Sequence, residues 1–84
     1  MITVKFFASL RESLGKEEEV LDFQANLDSV AAIREALVLK HGSSWQEVLI
    51  DNSVLMAVNQ VMSDPEAVVS DGDEVAFFPP VTGG

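Results

Sequence analysis

The chain has 84 residues and is 48% hydrophobic, enough for one small domain with a packed core. It has no cysteine and a single histidine, His41, which excludes disulfides, iron–sulfur clusters, a cysteine nucleophile and a histidine-built metal cluster. Its 14 acidic residues against 5 basic ones give a net charge of −9, the wrong sign for a nucleic-acid binder. That charge suits either solubility or docking on a basic protein partner. The apolar runs are too short to span a membrane and no secretory signal is visible, so a soluble cytoplasmic protein is expected.

Residues 2–9 alternate, with Ile2, Val4, Phe6 and Ala8 on one face and Thr3, Lys5, Phe7 and Ser9 on the other. This predicts a half-buried strand, with Phe7 as a large aromatic on the otherwise polar face. Residues 11–16, ending near Gly15, read as a loop, and residues 19–23 as a second strand in a hairpin with the first. A helix follows. Asp28 or Ser29 can cap it, and Val30, Ile33 and Leu37 form an apolar stripe at helical spacing. Lys40 and His41 suit its negative C-terminal end, and Gly42 is placed to stop it. Residues 43–48 predict a short helical turn with Trp45 on the core. Residues 54–59 predict a third strand, Ser63-Asp64-Pro65 a turn, and residues 67–69 a short strand. Asp71-Gly72 reads as a tight turn before a last strand over 74–78.

The expected architecture is α+β, with one main helix on one face of a mixed sheet. The first and last strands would sit side by side in the sheet centre. Residues 1–78 would form the domain and residues 79–84 a projecting tail.

Side-chain catalysis by this chain finds little support. The Glu17-Glu18-Glu19 run reads as a solvated surface. Asp71, Asp73 and Glu74 lack the alternating ligand spacing of a calcium loop, so they read as turn residues. One histidine offers no Ser-His-Asp arrangement, and the glycines form no phosphate-binding loop. What remains is the tail and two aromatics. If Val75 and Phe77 face the helix, Phe78 joins Phe7 on the open sheet face, as a partner-binding patch or an ordinary cross-strand pair. Met62 would extend that patch. Pro79 and Pro80 favour an extended arm, and Gly83 and Gly84 let its tip pass a narrow channel. The α-carboxylate of Gly84 is then the reactive group; the alternative is a frayed end.

The whole chain resembles the sulfur-carrier small subunits of molybdopterin synthase. The resemblance rests on Phe6-Phe7-Ala8 with Arg11-Glu12 and Gly15, on Ala57-Val58-Asn59-Gln60, and most specifically on Asp71 through Gly84 with its Phe-Phe-Pro-Pro-Val-Thr-Gly-Gly ending. It implies a ubiquitin-like β-grasp fold. It also implies that an ATP-using adenylyltransferase related to ubiquitin activators adenylates Gly84. A persulfide donor then leaves a thiocarboxylate there, and the tail enters the synthase large subunit to donate sulfur to a pterin precursor. The family complex is a heterotetramer. By the same resemblance Gly84 carries the sulfur, while Gly83, Thr82 and Val81 thread the partner's channel. Pro79 and Pro80 stiffen the arm, and Phe7, Met62 and Phe78 dock. Neither a bound cofactor nor a metal is implied for this chain, nor a membrane or nucleic-acid partner. A carrier for thiamine or another thiolated product, and a ubiquitin-like protein modifier, remain as alternatives.

Overall fold

The computed structural model describes residues 1–51 and 53–80. In chain order these form β1 (Ile2–Phe6), α1 (Ala8–Leu14), β2 (Glu18–Leu21), α2 (Val30–His41), α3 (Ser43–Leu49), β3 (Leu55–Val58), β4 (Val61–Ser63) and β5 (Glu74–Phe78). The sheet order is β2-β1-β5-β3-β4. β1 and β5 lie side by side at its centre, as expected, and run parallel, with Val4 opposite Val75 and Phe6 opposite Phe77. β5 also pairs with β3 in the antiparallel sense, so the strand that leads into the tail is hydrogen-bonded on both sides.

One face of the sheet carries the core. Ile2, Val4, Phe6, Met56, Val75 and Phe77 pack with Val30, Ile33 and Leu37 of α2 and with Trp45 and Leu49 of α3. Phe6 stacks on Phe77 at 6.2 Å and meets the edge of Trp45 at 5.3 Å. Each such aromatic adds about 2–3 kcal/mol through burial alone. Ser29, not Asp28, caps α2, its Oγ accepting from the Ala32 N–H at 3.1 Å. The carbonyls of Ala67 and Pro65 take the Val30 and Ala31 donors, which completes the first turn. Gly42, at φ 93°, ends α2 and starts α3.

Four expectations need correction. The strand starting at Ile2 stops at Phe6, because Ala8 turns the chain at φ 52°. Residues 8–14, read as the strand's end and a loop, form a helix that buries Leu10 and Leu14 one turn apart, closed by Gly15 in the left-handed region at φ 69°. The main helix α2 is thus joined by α1, and the short turn expected over 43–48 is the seven-residue helix α3, which makes three helices among the described residues. Residues 67–69 make only an isolated bridge, Ser29 with Val68, while the edge strand is β4 and contains Met62.

β3 and β4 are joined through Asn59 and Gln60, both at positive φ (50° and 67°), the geometry of a tight two-residue hairpin. Asn59 has reason to be there. Its Oδ1 accepts from the Glu74 N–H and its Nδ2 donates to Asp73 Oδ1, both at 3.0 Å. Gln60 has no such bonds among the described residues. Replacing Gln60 with Gly should stabilise the domain by about 0.5–1 kcal/mol, since glycine adopts this conformation without steric cost. A higher urea midpoint at unchanged slope is the expected reading.

Candidate functional site

The site is built on the open sheet face and the end of β5. Of the buried apolar residues, Ala57 and Ala76 stand apart from the core cluster. They are paired directly across β3 and β5, and Met62 faces Ala57 from β4. One step toward the tail, Leu55 faces Phe78. The ladder closes with the Phe7 N–H donating to the Phe77 carbonyl at 3.1 Å, which sets extended Phe7 beside Phe78. Phe7 is 43% and Met62 58% exposed, while Phe78 is half-buried. Two small alanines thus make a shallow apolar floor, rimmed by Phe7, Phe78, Leu55 and Met62. An apolar surface of this kind on a chain of net charge −9 is suited to a protein partner.

The three docking residues read from the sequence therefore lie on one face. Leu55 was missed. Its signal was the alternation of β3, which places it on the same side as Ala57. Pro79 and Pro80, the start of the tail expected from the sequence, follow directly on β5. Pro79 is half-buried and Pro80 exposed, and both line a cleft of about 340 Å³ between α1 and α3. Val81, Thr82, Gly83 and Gly84 lie outside the described residues.

The acidic residues near the β5 turn are occupied by the fold. Asp73 accepts from Asn59 and from the Ser70 N–H, and the Asn59 bond first of all holds its carboxyl below the usual range. Lys5 lies 3.4 Å from Glu74, and the Met1 amino group pairs with Asp71. Among the described residues no group of three His, Asp or Glu side chains could hold a metal ion. No helix among them is long and apolar enough to cross a membrane.

Glu19 departs from the solvated surface expected for residues 17–19. β2 turns it inward opposite Val4, and its side chain is only 2% exposed. Lys16 Nζ donates to Oε1 at 2.9 Å, and His41 Nε2 lies 2.7 Å from the same oxygen. Lys40 Nζ stands 3.0 Å from Oε2, an ion pair outside hydrogen-bond geometry, so that oxygen relies on charge attraction. Burial alone would raise this carboxyl's pKa. The Lys16, Lys40 and His41 contacts together outweigh it and bring the value down to about 2. The His41 ring stacks on Trp45 at 3.7 Å, which ties the cluster to the aromatic core. This cluster belongs to the domain's stability and makes no part of the arm.

Known proteins resemble this chain from end to end. Residues 4–84 match the ThiS family. The chain is 42% identical to the molybdopterin synthase sulfur carrier subunit of Escherichia coli and 40% identical to that of Haemophilus influenzae. Each match runs over 84 residues and covers 100% of both chains. Among solved structures, SAMP1 from Haloferax volcanii, a small archaeal modifier protein, superposes with a TM-score of 0.79 at 28% identity, over 99% of this chain and 98% of that one.

Proposed function

This chain belongs to the ThiS family, and from that premise we propose that it is the sulfur-carrier subunit of molybdopterin synthase. The observation that carries the reading is the end-to-end match to carriers of that name, joined to an arm rooted in a central strand beside an exposed apolar face. The chemistry follows from the arm's terminal group. A free carboxylate is a poor electrophile. Attack by the Gly84 carboxylate on ATP, within an activating partner, releases pyrophosphate and leaves an acyl-adenylate. A persulfide sulfur displaces AMP, and thiol cleavage of the resulting disulfide leaves the thiocarboxylate. In the large subunit that sulfur forms a C–S bond to the pterin precursor and displaces an oxygen substituent there; water then cleaves the resulting thioester, which leaves the sulfur on the precursor and frees the Gly84 carboxylate. Two loaded carriers supply the two dithiolene sulfurs. The acid–base groups for these steps belong to the partners, and this chain contributes a positioned nucleophile.

The open face supplies the docking energy. Phe78→Ala should weaken binding to the large subunit at least tenfold, about 1.5–3 kcal/mol, because truncated aromatics at an interface centre have effects of this size. Its effect on folding should stay below about 1 kcal/mol, since the ring is half-buried and outside the core cluster. A calorimetric titration beside a thermal melt separates the two. Equal losses would place Phe78 in the core.

The direct test adds thiocarboxylated protein to the cognate large subunit and the pterin precursor. Molybdopterin should form, about one per two carriers consumed. Failure with an active large subunit would reject the reading. The likeness to an archaeal modifier favours a second reading, in which activated Gly84 is joined to lysine amines of other proteins. A ladder of conjugates in cell extract would support it; a single free band with normal cofactor synthesis would oppose it. The higher identity to the carriers favours the first.

A further inference from the structure

The cleft beside the arm has features that the sulfur-carrier chemistry leaves unused. α1, the helix absent from the sequence reading, forms one wall and α3 the other, with Pro79 and Pro80 at the edge. Leu10, Val48 and Val54 give the cleft an apolar floor. Glu47 and Asp51, one helical turn apart in sequence, stand exposed in its lining. The Asp51 carboxylate is held in place. Its Oδ1 accepts from the Ser53 N–H at 2.9 Å and the Ser53 hydroxyl at 2.7 Å. An apolar floor with one held carboxylate and a second acid in its lining suits an aliphatic stem that ends in a planar cation.

The geometry points to this cleft as a second recognition site, one that receives an arginine-class side chain from the large subunit as it takes up the arm. The inference rests on the sulfur-carrier reading. A channel that swallows residues beyond Pro80 brings its mouth onto the arm's root, where this cleft lies. A cation seated there would fix the arm's entry point, in addition to the docking energy of the sheet face. The chain's charge of −9 adds long-range attraction for a basic mouth.

The test titrates the cognate large subunit into wild type, Glu47→Lys and Asp51→Asn at two salt concentrations. Asn keeps a side-chain oxygen for Ser53. Glu35→Lys, on α2 outside this cleft, makes the same charge change and serves as the control. Glu47→Lys and Asp51→Asn should each weaken binding about tenfold and flatten its salt dependence, with Glu35→Lys within about twofold of wild type. Thermal melts should be unchanged, and Glu47→Gln replaces Glu47→Lys if the latter does not fold. Equal effects of Glu47→Lys and Glu35→Lys would overturn the site, because bulk charge would then explain both. If wild type does not bind, the sulfur-carrier reading falls and this inference with it.

Discussion

Removal of Gly84 should abolish sulfur transfer and leave the fold intact. Activity should fall by at least about a thousandfold, because the truncated arm presents its carboxylate one residue short, about 3.5 Å, of where partner chemistry occurs. The melting temperature should stay within about 1 °C, since among the described residues the core cluster ends at Phe77. Binding to the large subunit should persist, because Phe7, Phe78 and Met62 on the open face are untouched. Loss of activity with retained binding separates a reactive arm from a plain docking module. A truncation that unfolds the domain would contradict the division between core and arm.

The second large effect concerns Glu19. Glu19→Ala leaves Lys16, Lys40 and His41 around a space that had held their common partner. A loss of about 3 kcal/mol is expected, as for other broken buried ion pairs, from a domain whose total stability is about 4–13 kcal/mol. The folded carboxyl titrates near 2 and its ordinary value is 4.5. The folded value is the lower one, so between these values the unfolded chain binds the proton more readily. Glu19's contribution, up to about 3 kcal/mol, is complete above about pH 5 and disappears as pH falls toward 2. Urea midpoints at pH 7 and pH 3 should converge more in Glu19→Gln than in wild type. Parallel acid slopes in the two proteins would reject the assignment. Glu19 also gives edge strand β2 an inward-facing charge, a feature that discourages pairing with another sheet edge.

The legible parts of the fold were those with strong local periodicity. Val30, Ile33 and Leu37 marked α2, the pair Asp28-Ser29 and Gly42 bracketed it, and the alternations of β1 and β5 gave two strands and their faces. α1 was hidden because the alternation of β1 runs on formally through Ser9, and only the left-handed turn at Ala8 breaks it. The Leu10–Leu14 spacing before Gly15 was the available signal. β4 is three residues long, too short for a period to show, whereas Ala67-Val68-Val69 has strand composition but makes a single bridge. Glu19 looked solvated because two other acids precede it. Of its partners only Lys16 is a sequence neighbour; Lys40 and His41 arrive through the packing of α2 on β2. Of the candidate site, the shared face was legible, since alternation along β1 and β5 was enough to put Phe7 and Phe78 on the side away from the helices.

The most direct test of sulfur carriage at Gly84 is intact mass after thiol alkylation, following incubation with the cognate activating enzyme, ATP and a persulfide source. Mass alone is ambiguous, because oxidation of one of the three methionines mimics exchange of oxygen for sulfur. Alkylation removes the ambiguity, since the chain has no cysteine and a thiocarboxylate would be its one strong sulfur nucleophile. The account predicts a single alkyl adduct that maps to Gly84 and depends on ATP. An unalkylated chain, with an activating enzyme shown to be competent, would contradict it.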